Sequence, residues 1–194
     1  IPHFKTLYLA PTQKQASSFS NSRLRKTILH SPHIKANFVE PLAPMGVWLK
    51  SFSNGSEVNI SYAYDDPDRV RGFSSDRIGY DEVQDIVLDT VVPVVNETMA
   101  NSEYGFVTYS GTPKSTENPI EWLWKESTQN VWIMKCRRCN KWVYCESNAC
   151  IGKRGLICIS CGGALDPRAG RWHALNERTD EEAAEKGTYQ IQGY

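Results

Sequence analysis

No apolar run in this 194-residue sequence approaches the roughly 20 residues needed to cross a bilayer, and no signal-peptide pattern opens it. Membrane-spanning and signal-bearing classes are therefore set aside. Net charge is missing too. The 22 Lys and Arg balance the 22 Asp and Glu, so whole-chain charge names no partner. There is no internal repeat and no low-complexity segment. Cysteine is absent from the first 135 residues, and all six fall between Cys136 and Cys161. Their paired spacing suits a metal better than disulfides and favours a reducing, intracellular setting. An initiating Met is also lacking, and Ile1 to Leu9 already reads as the approach to a core strand. The chain is expected to be a piece of a longer protein.

What is present is an ordinary globular composition, 40% hydrophobic and 23% charged. At this length one sizeable core and a small satellite can be buried. Charge is segregated along the chain. Lys135 to His173 holds eight basic residues against two acids, a net +6 in a chain that is neutral overall. A cationic module is joined to an acidic body.

Lys5 to Ala10 predicts a buried strand ended by Pro11-Thr12, followed by a helix from Gln13 to His30 that Pro32 stops. Val47 to Phe52 and Val58 to Tyr64 flank Asn54-Gly55, a hairpin signal. Arg77 to Tyr80 predicts a short central strand. Val83 to Ala100 reads as largely helical, kinked or split by Pro93. Gly105 to Ser110 predicts another buried strand, and Pro119 to Ser127 a short helix. Thr179 to Lys186 carries helix caps, and Thr188 to Tyr194 suits a returning strand. This alternation gives an α/β fold with a parallel sheet.

The central strand delivers Asp81 and Glu82 as adjacent carboxylates at a strand end. Adjacency suits triphosphate hydrolysis, in which one acid holds Mg²⁺ and its neighbour polarises the attacking water. The plain alternative is a pair of acids at a helix start. Three loops fall at strand ends: Ala10-Pro11-Thr12, Asp81-Glu82 and Ser110-Gly111-Thr112-Pro113. Ligands of open parallel sheets bind beyond such ends. A small hydroxyl-rich loop beside the acids can sense a γ-phosphate.

In order and spacing, LYLAPTQKQA, RGFSSDRIGYDEVQDI and VTYSGTPKSTENPIEWLW resemble segments of the large terminase subunit of tailed phages. That protein is the ATP-driven motor that packages viral DNA. The resemblance spans nearly the whole chain. It implies a RecA-like (ASCE) ATPase core over 1–134, a zinc ribbon inserted at 135–175, and a return to the core or a linker over 176–194. It further implies Asp81 as the Walker B acid, Glu82 as the catalytic glutamate, and Ser110, Gly111 and Thr112 as the coupling motif. Pro11, Thr12 and Gln15 fall in the second motif, near DNA or nucleotide. Implied with these are Mg²⁺, ATP, double-stranded DNA, a small terminase subunit, a portal, a ring-shaped oligomer and the host or bacterial cytoplasm, with no membrane. Two departures stand out. Gly79 occupies a position that is usually bulky and apolar, and no G-x-x-x-x-G-K-[ST] phosphate loop occurs. The loop is expected before Ile1 and the family's endonuclease acids beyond Tyr194, leaving these residues alone inactive.

Cys136-x-x-Cys139 and Cys158-x-x-Cys161 predict a four-thiolate structural zinc, with Gly162-Gly163 suiting a knuckle turn. Cys145, Cys150 and His173 are surplus, expected to be a free thiol or surface imidazole rather than substitute ligands. Lys153, Arg154, Arg168 and Arg171 are candidate DNA contacts, or else a solvated surface. Trp142, Tyr144 and Trp172 are expected to pack the ribbon rather than stack on bases. Arg71 is expected to pair with the Asp65–Asp68 cluster in preference to acting as an arginine finger. Two rival readings are a DExH-type helicase, which shares the acid-pair and Pro-Thr motifs, and a non-enzymatic zinc-ribbon module on a degenerate ATPase fold.

Overall fold

The computed structural model describes residues 1–39, 45–176 and 191–194. The chain divides into two compact units, Ile1–Glu121 and Trp122–Tyr194.

The first unit is built on a five-stranded sheet of β1 (Lys5–Ala10), β2 (Leu49–Ser51), β3 (Glu57–Tyr62), β4 (Arg77–Tyr80) and β5 (Phe106–Tyr109), ordered β2-β3-β1-β4-β5. β3, β1, β4 and β5 run parallel, and β2 returns antiparallel on β3 through the Asn54-Gly55 turn, Gly55 standing at φ 77°. Leu7 and Leu9 of β1 and Ile78 and Tyr80 of β4 are fully buried. Parallel pairing of β1, β4 and β5 brings the loops after all three to one edge, which is how the site is assembled.

α1 (Gln13–Ser18) starts at Thr12, whose Oγ1 accepts from the Gln15 N–H at 3.3 Å. The single helix expected to His30 is interrupted by a π-helical stretch, Phe19–Leu24, before α2 (Arg25–His30). Phe19 lies in that stretch and stacks on Tyr8, with ring centroids 3.9 Å apart. Pro32 does not only stop a helix. It opens α3 (Pro32–Phe38), capped by Ser31.

After the acids come a 3₁₀ turn, Val83–Asp85, then α4 (Leu88–Asn96) and a second 3₁₀ turn, Glu97–Met99. The break falls at Ile86–Val87, not at Pro93, which sits inside α4. Ile86 is extended, and the Val87 N–H is taken by the Tyr64 carbonyl at 2.8 Å. β5 also departs from expectation: it is not buried, and Phe106 is 55% exposed. The cause is its place at the sheet edge, where no described strand covers its outer side. At Gly79 a Cβ would meet nothing within 4 Å, so packing does not demand glycine there.

The second unit contains a three-stranded antiparallel sheet of β6 (Asn130–Lys135), β7 (Trp142–Tyr144) and β10 (Gly170–Ala174), ordered β10-β6-β7. A small ribbon of β8 (Ile151–Gly152) and β9 (Gly155–Leu156) lies between β7 and β10 in sequence. α5 (Pro119–Glu126) carries the chain from one unit to the next. Residues 122–134, grouped with the ATPase core by sequence, fall in this second unit, and β6 is the middle strand of its sheet. One buried cluster joins Met134, Val143 and Leu165 with Cys136 and Cys158, and Leu123, Val131 and Ile133 are buried as well. Ile191 and Gly193 return beside this unit's start, their carbonyls accepting from Thr128 and Asn130 at 2.9 and 2.8 Å. The helix expected over Thr179 to Lys186 lies outside the described residues.

Opposite the loop edge, Asp76 pins three strand starts. Its Oδ2 accepts from the Lys5 N–H (2.8 Å) and its Oδ1 from Ser102 Oγ (2.7 Å). Its carbonyl also takes the Phe106 N–H at 3.1 Å. Asp76→Ala orphans the Lys5 amide and is expected to cost about 1–3 kcal/mol of stability. Asp76→Asn, which keeps an acceptor, is expected to cost less. Urea denaturation of the two variants checks the order.

Candidate active site and candidate metal centre

Asp81 leaves the end of β4 with its N–H on the Leu9 carbonyl at 2.8 Å. Its carboxylate is held from both neighbouring strands. Tyr8 Oη of β1 donates to Oδ2 at 2.5 Å, and Ser110 Oγ, just past β5, donates to Oδ1 at 3.0 Å. Each oxygen keeps a further lone pair. Burial, then the bond to Asp81, raises the Tyr8 phenol well above its ordinary value, so its hydroxyl remains a donor.

Glu82 stands in the left-handed region, φ 51° and ψ 45°. A non-glycine residue there carries strain, and Glu82 finds a different partner from Asp81. Its Oε2 accepts from Gln84 Nε2 at 2.5 Å, and Gln84 Oε1 accepts from the Thr112 N–H at 3.1 Å. Glu82 Oε1 makes no hydrogen bond among the described residues. Ser110 ties the same corner through its backbone, donating to the Tyr80 carbonyl at 2.8 Å and accepting from the Val83 N–H at 3.0 Å. Gly111 is closely approached: a Cβ there would run into Gln84 Oε1, forcing that side chain to shift, and stand 3.2 Å from the Val83 nitrogen.

The acid pair and the Ser110-Gly111-Thr112 loop thus form one hydrogen-bonded cluster. Thr12, ending the loop after β1, and Gln15, in the first turn of α1, share a 2.5 Å side-chain bond, and no described hydrogen bond joins them to the acids. Pro11 is buried in the same loop. Arg71 pairs with Asp68 at 2.6 Å. Sequence reasoning assigned no role to Tyr8 or Gln84. The alternation of β1 puts Tyr8 on the face of Gly79 in the sheet register, which only the strand pairing reveals. The fourth residue of the Asp-Glu-Val-Gln run was visible, but its partner lies 28 residues away.

The second cluster is Cys136, Cys139, Cys158 and Cys161, whose sulfurs all lie within 4.8 Å of one another. Cys136 and Cys161 Sγ are 3.6 Å apart, and Cys139 and Cys158 Sγ 3.7 Å. Tetrahedral zinc with Zn–S of about 2.3 Å sets its sulfurs about 3.8 Å apart, so the four thiols fit. The two turns share a pattern. Asn140 and Gly162 are both left-handed, φ 60° and 69°. Each donates its N–H to the carbonyl of the first Cys of its pair at 2.8 Å. Backbone N–H groups from Cys139 and Arg138 draw the Cys136 thiol down to about 6, which favours the thiolate a metal needs. Burial, then a bond with Cys150, pushes Cys145 up to about 11. Cys145, Cys150 and His173 are not in the cluster.

Lys153 and Arg154 are exposed in the β8–β9 turn. Arg168 pairs with Asp166 at 3.1 Å, and Arg171 lies over the Trp142 ring at 4.4 Å. Trp142, Tyr144 and Trp172 are 44%, 42% and 50% exposed, against the expectation that they pack the ribbon. Of the three, Trp172 does pack, edge-on to Trp132 and Tyr194.

The family described as phage terminase large subunit gpA, ATPase domain, matches residues 3–189. Among solved structures, the HK97 bacteriophage large terminase superposes with a TM-score of 0.51 at 15% identity, over 64% of this chain and 25% of that one. A mutant ATPase domain of the Thermus phage P74-26 large terminase gives 0.48 at 18% identity, over 65% of this chain and 54% of that one. The likeness to HK97 is one of fold, and the chain spans a quarter of that protein's length. No curated protein matches the sequence.

Gly111→Ala is expected to destabilise the first unit by about 1–3 kcal/mol, the usual cost of overpacking. Adding Gln84→Ala should recover part of that loss by clearing the Oε1 contact. A urea double-mutant cycle on the 194-residue chain measures the coupling.

Proposed function

The chain belongs to the ATPase-domain family of the phage terminase large subunit, and from that premise we propose that it works within an ATP-driven motor moving double-stranded DNA into a procapsid. The observation carrying the proposal is the acid pair, splayed by a left-handed Glu82 and wired to the loop after β5. Asp81 is assigned to the metal side. Asp81 would hold Mg²⁺, which would supply neutralisation of the phosphate charge. Asp81 offers it a carboxylate already aligned by Tyr8 and Ser110.

Glu82 is assigned as the base that orients the attacking water and takes its proton, through the oxygen that Gln84 leaves open. Ser110, Gly111 and Thr112 are assigned to coupling, because Thr112 reaches Glu82 through Gln84 and Ser110 reaches Asp81 directly. Pro11, Thr12 and Gln15 are assigned to the loop that meets nucleotide or DNA. No G-x-x-x-x-G-K-[ST] occurs in the 194 residues, so the phosphate cradle is assigned to another part of the protein. An endonuclease domain is placed outside these residues as well. A portal, a small terminase subunit and further copies of the motor are the proposed assembly, in the bacterial cytoplasm. Among the described residues, no helix is long and apolar enough to cross a membrane.

Cys136, Cys139, Cys158 and Cys161 are assigned to one structural zinc, on the 3.6 and 3.7 Å sulfur spacings. The ion would add to the stability that the unit's buried apolar residues supply.

The 194-residue chain alone is expected to bind ATP weakly and not to turn it over. Steady Mg²⁺-dependent phosphate release by the purified chain would contradict the missing-cradle assignment. In the full-length terminase, Glu82→Gln is expected to lower kcat by about 10²- to 10⁴-fold while ATP binding persists. Asp81→Ala is expected to raise the Mg²⁺ requirement as well. Wild-type turnover in either variant overturns the roles.

The zinc assignment predicts one zinc per chain by elemental analysis, lost on Cys158→Ser. Chelation is expected to abolish near-UV signals from the second unit and leave the first unit's urea transition in place. A metal-free chain with both units folded refutes it.

A further inference from the structure

The antiparallel register of the ribbon sheet sorts its side chains by face. Lys135 pairs with Trp142, Ile133 with both Tyr144 and Arg171, and Val131 with His173. These residues share one face. The opposite face carries Met134 and Val143, which pack on the cysteine cluster, together with Trp132 and Trp172. The first face is the unusual one. Lys135, Trp142, Tyr144, Arg171 and His173 are all exposed on it, the two aromatic rings to 44% and 42%.

Arg171's guanidinium lies 4.4 Å from the Trp142 ring centre and Lys135's ammonium 5.9 Å from it. No carboxylate among the described residues forms an ion pair with either cation. Among the described residues in register on this face there are positive charges and flat rings and no acid.

We propose that this face is a docking surface for single-stranded DNA. Two properties select that partner. The cations and the absence of acids match a phosphate backbone. The rings match unstacked bases, because Trp142 and Tyr144, two residues apart on one strand, sit about 6.6 Å apart along it, close to the span of one extended nucleotide. Aromatic rings and guanidinium planes on a sheet are platforms on which bases stack. A duplex hides its base faces, so duplex binding would use the cations and leave both rings idle. An acidic protein would likewise have no use for rings at nucleotide spacing. The choice of DNA over RNA rests on the terminase reading, and the platform itself does not.

The test is fluorescence anisotropy of labelled oligo(dT), against a hairpin duplex of equal length, with the zinc-loaded 194-residue chain. The oligo(dT) is expected to bind more tightly. Trp142→Ala is expected to weaken it by roughly 5- to 100-fold, with the duplex little affected and Trp142→Phe restoring most of the loss. Lys135→Ala and Arg171→Ala are each expected to lower the salt slope by about 0.7. Unchanged zinc content and circular dichroism in Trp142→Ala certify the fold. Equal binding of duplex and oligo(dT) with Trp142→Ala silent overturns the proposal in favour of phosphate contact alone. Absence of binding to both overturns it in favour of a protein partner. None of these results touches the ATPase assignment, which the Glu82 and Asp81 variants test separately.

Discussion

The left-handed backbone of Glu82 is the constraint on which the first unit's chemistry depends. Two carboxylates adjacent in sequence on a continuing strand would fall on opposite faces of the sheet. Here the chain turns at once after Asp81, so both acids stay at the strand end yet point to different partners. The conformation costs about 1–3 kcal/mol for a residue with a side chain. Ser110 offsets it by gripping the backbone on both sides of the turn, at Tyr80 and at Val83. The close approach of Gly111 to Gln84 follows from the same grip.

The two units hold themselves together by different means. The first relies on a mostly parallel sheet whose central strands bury leucine, isoleucine and tyrosine. In the second, Met134, Val143 and Leu165 pack with Cys136 and Cys158, and four cysteine sulfurs lie within 4.8 Å of one another. On the zinc assignment proposed above, loss of a thiolate would weaken the second unit by weakening its hold on the ion.

Much of this was legible in the sequence because local signals carry it. Lys5–Ala10 is a continuous apolar run between breakers, and it is the strand that forms. The Cys-x-x-Cys pairs sit in turns whose geometry is fixed within five residues. Elements set by distant partners were not legible. β5 reads as buried from its apolar content, yet it occupies an edge, and edge position belongs to the sheet rather than the strand. Trp142 and Tyr144 read as core for the same reason, since aromatic content does not reveal which face of a ribbon is covered. The helix break at Val87 is set by the Tyr64 carbonyl, 23 residues earlier, and Pro93 gave the wrong landmark. Tyr8 and Gln84 entered the site only through pairing across strands.

The arrangement of hydrogen bonds around the two acids makes them unequal listeners. Asp81 is held by Tyr8 on one side and Ser110 on the other, so it registers a displacement of either flanking strand. Among the described residues, Glu82's carboxylate is held only by Gln84, which Thr112 holds in turn, so it registers the loop after β5. On the roles proposed above, a disturbance entering by β1 would change the grip on the metal and spare the orientation of water. One entering by β5 would alter both together. The site thus has two separable inputs, and the order of three strands decides which chemical step each can address.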